Sequence, residues 1–181
     1  DVVTYCYHPF DEGILSNGYV RDCVWRARDR GVIFDVGFGT VSFSYDVAEK
    51  AIEQGFLPDT VSTDLHSRNL GSKPQHDLPF VLSVLVAAGM PSTAAFLAAT
   101  TRPAEVLGLR RLVGDFRPGM CADLTVLRRG DRRLGLRDGQ GIVRKARLYS
   151  TQAVYRDGVR VAGGRESMQS DELPDSPDRS R

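Results

Sequence analysis

Three short stretches hold the residues whose types suit chemistry: Tyr5, Cys6, Tyr7 and His8; Asp35, Phe38 and Thr40; and Thr63, Asp64, His66 and Arg68. Each closes a β-branched or apolar run, and parallel α/β folds gather their chemistry at the carboxyl ends of such strands. Asp64 is the sharpest of them. A carboxylate at a strand end can bind a hard or borderline cation and take a proton from metal-bound water. The same residue also suits capping of a loop or of the next helix. His66, two residues on, suits a substrate contact or the surroundings of a metal, and more often a solvated loop. Arg68 is a further candidate substrate contact. His8 reads as a ligand or, preferably, as a loop histidine beside Pro9. Asp77, after His76, reads as the N-cap of a helix beginning at Leu78. Cys6 reads as a small core hydrophobe.

The elements that must position these residues follow from periodicity. Strands are expected over 1–7, 32–36 and 59–64, and helices over 19–30, 46–54, 78–88, 92–100 and 103–107. Residues 66–77 read as a polar loop. Strands alternating with helices imply βα units and a parallel sheet, in a doubly wound fold or in part of a (β/α) barrel. After about residue 112 the texture changes. Short strands over 123–127, 146–149 and 152–155, with an Asp157-Gly158 turn, imply a small antiparallel β module over 113–164. Residues 165–181, rich in Ser, Asp, Glu, Arg and Pro, read as a disordered tail.

Composition excludes several classes of function. The 181 residues carry a formal net charge of +1, which gives no electrostatic case for nucleic acid or an anionic membrane. The basic run over 128–137 is broken by Asp131 and glycines and reads as a solvated hairpin. No apolar run approaches the roughly 20 residues of a membrane span. Three scattered cysteines without a C-x-x-C pair argue against a disulfide framework or a zinc ribbon, and a cytoplasmic setting is the expectation. Gly37 and Gly39 lack the G-x-G-x-x-G spacing of a dinucleotide site.

The stretches "VIFDVGFGTVSFSYDVAEKAIEQGFLPDTVSTDLHSRN", "DLPFVLSVLVAAGMP", "AATTRPAEVLGL" and "GDFRPGMCADLTVL" together resemble the C-terminal half of the amidohydrolase superfamily. The resemblance is to its dihydroorotase-like amidohydrolases and deacetylases, and runs in order from Asp1 to about Gly164. It implies half of a TIM-type (β/α)8 barrel over 1–112 followed by a small β module. It also implies a metal site, often binuclear zinc, and hydrolysis of amide or cyclic-amide C–N bonds in a small-molecule substrate. The family's front half supplies a His-x-His pair and a carboxylated lysine, and its back half two histidines and an aspartate.

The aspartate matches Asp64, which the resemblance makes both a metal ligand and the general base. The two histidines are absent. Thr4-Tyr5-Cys6-Tyr7 stands where the family has T-H-C-F, and Asp35-Val36-Gly37-Phe38-Gly39 where it has D-x-G-H-G. Phe38 cannot coordinate a metal, and a tyrosine with a pKa near ~10 is a poor neutral-pH ligand. The chain is therefore expected to bind no zinc and to be inactive alone, and to depend on the N-terminal half of the barrel or on a partner chain. The alternative is a non-catalytic binding module that has lost its metal site.

Overall fold

The computed structural model describes residues 1–39, 41–72 and 76–163. Three stretches of chain run side by side in parallel. Strand β1 (Val2–Val3) pairs in register with β4 (Ile33–Phe34), and Asp35 forms a parallel bridge with Thr60. The ladder continues past the strands: Cys6 N–H donates to Asp35 O (3.1 Å), Val36 N–H to Thr60 O (3.2 Å) and Phe38 N–H to Ser62 O (2.9 Å). The expected strands over 1–7, 32–36 and 59–64 are thus adjacent in the expected order. They are far shorter than expected, and the third is only a bridge.

The first strand ends early because Tyr5 takes a left-handed backbone, φ 58°, which breaks the extended run. The helix expected over 19–30 begins late, as α1 (Asp22–Asp29). Tyr19–Val20 (β3) instead folds back on Leu15–Ser16 (β2) across Asn17-Gly18, whose positive φ angles suit a tight hairpin. Helix α2 (Tyr45–Glu53) follows the second parallel segment. Helices α3 (Leu78–Ala87), α4 (Ser92–Ala99) and α5 (Thr101–Val106) follow the third. Asp77 is the N-cap of α3, its Oδ1 accepting from Phe80 N–H at 2.9 Å, with Pro79 in the first turn.

One buried carboxylate joins the three parallel segments. Asp35, 7% exposed, accepts from Thr4 Oγ1 (2.9 Å), Thr60 Oγ1 (2.7 Å) and Ser62 Oγ (2.5 Å). The Tyr7 hydroxyl donates to Phe56 O (2.8 Å), and Phe56 stacks edge-on with Trp25 and Phe34. The Arg28 guanidinium lies over the Phe56 ring, 3.8 Å from its centroid, and pairs with Asp59.

The C-terminal strands are antiparallel. β5 (Leu124–Arg129) pairs with β8 (Tyr149–Arg156), and β8 with β9 (Val159–Ala162) across Asp157-Gly158. β6 (Leu134–Arg137) pairs with β7 (Val143–Ala146). The basic run is therefore not a hairpin of its own. It ends β5 and begins β6, where Leu136 is buried against the core. The strands expected over 146–149 and 152–155 are the end of β7 and one unbroken β8.

This module grips the helices. Asp138 Oδ2 accepts from Tyr45 N–H (2.8 Å) at the start of α2, and Arg144 holds Glu49 through two bonds (2.5 and 2.8 Å). Ser83 Oγ, fully buried on α3, accepts from Tyr149 N–H (2.9 Å). Residues 165–181, expected as a tail, lie outside the described residues.

Removing the Asp35 carboxylate strands three hydroxyls between the parallel segments. Asp35→Ala is expected to lower the unfolding free energy by about 3 kcal/mol, since hydrogen bonds to a charged acceptor are the stronger kind. Urea unfolding of the chain checks it; a loss below about 0.5 kcal/mol, the size of an ordinary surface substitution, would contradict the role.

Candidate functional site

The ends of the three parallel segments open onto one cleft of about 490 Å³, lined by Tyr5, His8, Gly39, Asp64, His66 and Arg68, together with Phe10, Val41 and Ser42. The structure thus brings together Asp64, His66 and Arg68, as the sequence leads one to expect. His8, which the sequence offers as a ligand or, preferably, as a loop histidine, lines the same cleft. Thr40 lies outside the described residues.

Two non-glycine residues at this rim are left-handed: Tyr5 at φ 58° and Asp64 at φ 49°. Such backbones cost about 1–3 kcal/mol for a non-glycine residue and concentrate at functional sites. Here they turn the two side chains toward each other, and the Asp64 carboxylate beside the Tyr5 hydroxyl pushes the phenol's pKa up. The glycines between them make the approach possible. A Cβ on Gly37 would come within 2.8 Å of Tyr5 Cδ1, and one on Gly39 within 3.0 Å of Asp64 Oδ2. Gly37 also has φ 51°, a backbone that glycine adopts freely.

Phe38 is not on the cleft. Its ring is buried among Phe43, His76 and Phe80, with centroids 5.1 to 5.8 Å away. His76 does more than precede the N-cap: its ring is buried, and Nε2 lies 2.6 Å from Thr63 O and 3.1 Å from Phe38 O. Both partners are carbonyls, so Nε2 carries the proton and ties the second parallel segment to the third. Only the buried position reveals this; the sequence shows just a histidine beside a cap.

The backbone from 66 to 69 is equally tied down. His66 Nδ1 accepts from Arg68 N–H (3.2 Å), and Asn69 Oδ1 accepts from His66 N–H (3.2 Å), a reciprocal cap around one 3-10 turn (Ser67–Asn69). Cys6 is a buried thiol whose pKa burial drives far up, as suits a core residue.

No protein-family profile matches the chain. It is 34% identical over 149 residues to a deacetylase of Enterococcus faecalis, covering 81% of this chain and 40% of that relative. Among solved structures it superposes on an adenine deaminase with a TM-score of 0.81 at 31% identity, covering 89% of this chain and 44% of the other. On a dihydroorotase the TM-score is 0.74 at 32% identity, covering 92% and 44%. The chain belongs to the amidohydrolase superfamily, a family of hydrolases. It spans about two fifths of the length of the curated relative it matches.

The metal that the family resemblance implies does not fit the residues present. Phe38 offers no donor atom and faces the core, and the Asp64 carboxylate beside Tyr5 raises the Tyr5 pKa, which disfavours a metal-binding phenolate. Among the described residues no group of three or more His, Cys, Asp or Glu side chains could hold an ion.

Because the Tyr5 pKa is raised in the folded chain, its contribution to stability is full below about pH 10, the value of a free tyrosine, and is lost as pH rises through the raised value. Tyrosinate absorbance of the chain, compared with Tyr5→Phe, is expected to show the missing transition above the ordinary tyrosine range. In Asp64→Asn it is expected to fall back toward that range. A Tyr5 that titrates alike in both backgrounds contradicts the contact.

Proposed function

We propose that the whole protein hydrolyses amide or cyclic-amide C–N bonds of a small molecule, and that this chain supplies Asp64 as the proton carrier with His66 and Arg68 as substrate contacts. The observation that carries this reading is the meeting of these side chains at the carboxyl ends of three parallel segments. In hydrolysis, water oxygen bonds to the carbonyl carbon and gives up a proton, the C–N bond breaks, and the leaving nitrogen takes a proton. Asp64 suits both transfers. Its carboxylate accepts the water proton and returns it to nitrogen, with the Tyr5 phenol beside it at the rim. His66 and Arg68 are exposed at the mouth of the cleft, where they can meet the substrate's polar groups.

The zinc expected of the family has no complete donor set here, so no step is assigned to it; its ligands would have to come from outside this chain. The edge strand β1 supports a dependence on more polypeptide. Val2 and Val3 are 58% and 44% exposed on it, an apolar edge that a further parallel strand, from the rest of the protein or a partner chain, would cover.

A second reading, a binding module without catalysis, draws on the same residues. A phenol beside Asp64 and a phenylalanine turned into the core stand where the family resemblance places metal-ligating histidines.

Two experiments separate the readings. In the whole protein, Asp64→Asn is expected to lower kcat for an N-acyl or cyclic-amide substrate by about 10²–10⁴-fold, the usual weight of a general base; unchanged turnover would remove Asp64 from the chemistry, and no turnover in the unaltered protein favours the binding module. The isolated chain is expected to show neither amide hydrolysis nor stoichiometric zinc uptake in equilibrium dialysis. Zinc uptake abolished by Asp64→Asn would show that the chain's own residues do make a metal site.

A further inference from the structure

We infer that His8 and His66 form a matched pair of Nε2–H donors that recognises an acceptor oxygen, carbonyl or carboxylate, on the ligand of the Asp64 cleft. This rests on the reading of that cleft as the ligand site and names the group it selects.

The two histidines come from different segments and are held in the same way. Phe10 N–H donates to His8 Nδ1 (3.1 Å), and Arg68 N–H donates to His66 Nδ1 (3.2 Å). A ring nitrogen that accepts an N–H presents its lone pair there, so in each neutral imidazole the proton sits on Nε2. Both rings line the same cleft. Among the described residues neither Nε2 has a protein acceptor.

Each ring has its orientation favoured by a further contact. His8 stacks on Phe10 with centroids 5.5 Å apart and planes 28° apart. The His66 backbone is held by the cap of the buried Asn69, and its ring by the Arg68 N–H on Nδ1. Donors fixed before binding lose little rotamer freedom when a ligand arrives. The cleft's polar groups then divide by sign of hydrogen bonding. Asp64 is the acceptor, and the two Nε2–H groups, with the Arg68 guanidinium, are donors. A ligand that places an N–H or water at Asp64 and an oxygen at the histidines satisfies both sides.

The chain contains only three histidines, and the third, His76, is buried with its Nε2 committed to Thr63 O and Phe38 O. It is an internal control. The test is ¹⁵N ring NMR of the full chain at one fixed alkaline pH, titrated with acetate in one arm and acetamide in the other. Single His8→Phe and His66→Phe variants assign the signals.

His8 and His66 are expected to show the Nε2–H pattern without probe. At least one probe is expected to move both Nε2 signals together while His76 stays in place. The probe that acts at lower concentration identifies the group as carboxylate or carbonyl. His8→Phe keeps a ring on Phe10 but removes a donor, and is expected to weaken that probe about tenfold, as for one neutral hydrogen bond. An Nδ1–H pattern at either ring, or no common shift with either probe, overturns the inference. No turnover is read, so a failure of Asp64 as proton carrier leaves this result standing, and the reverse also holds.

Discussion

Asp35 takes hydrogen bonds from Thr4, Thr60 and Ser62, one hydroxyl before the end of the first parallel segment and two within the third. Water is largely excluded from it, so its charge is compensated almost wholly by these groups. The residues lining the cleft are one to four residues further along the same segments: Tyr5 after Thr4, Gly39 after Asp35 and Asp64 after Ser62. Their lateral spacing is therefore set by a single acid. The backbone bonds from Cys6 to Asp35 and from Phe38 to Ser62 then carry that spacing to the segment ends.

From this framework the site divides into two faces. Toward the cleft stand Tyr5, His8, Asp64, His66 and Arg68, with left-handed backbones at Tyr5 and Asp64 that only a well-braced framework sustains. Toward α3 stand Phe38, Phe43, His76 and Phe80, an aromatic cluster closed by the two hydrogen bonds of His76. Phe38 belongs wholly to the second face. Burying its ring stabilises the packing of α3 on the parallel segments, and removes from the cleft one of the two positions, with Tyr5, where the family resemblance calls for a histidine.

The antiparallel module braces the helices rather than the cleft. Asp138 supplies the carboxylate that caps α2 from a remote hairpin, Arg144 grips Glu49, and Ser83 on the all-apolar α3 accepts from the start of β8. A helix as apolar as α3 would be costly to expose, and its lone buried hydroxyl is satisfied on both sides, by Tyr149 N–H and by Pro79 O. Movement of the module would thus reach the segment ends through α2 and α3.

Much was legible in the sequence because it rests on local patterns. The order of parallel segments and helices follows from apolar periodicity, the Asp77 cap from a carboxylate before Leu78-Pro79, the Asp157-Gly158 turn from a dipeptide that tolerates positive φ, and the grouping of Asp64, His66 and Arg68 from their nearness in the chain. Strand lengths were overestimated, since apolar content does not reveal where Tyr5 turns left-handed. Only the tertiary structure decided that His8 joins the cleft, that His76 bridges two carbonyls, that Phe38 turns from the cleft to the core, and that Asp35 unites three segments. Each of these depends on partners more than ten residues away brought within hydrogen-bonding or ring-contact distance, and no short-range pattern of residue types carries that information.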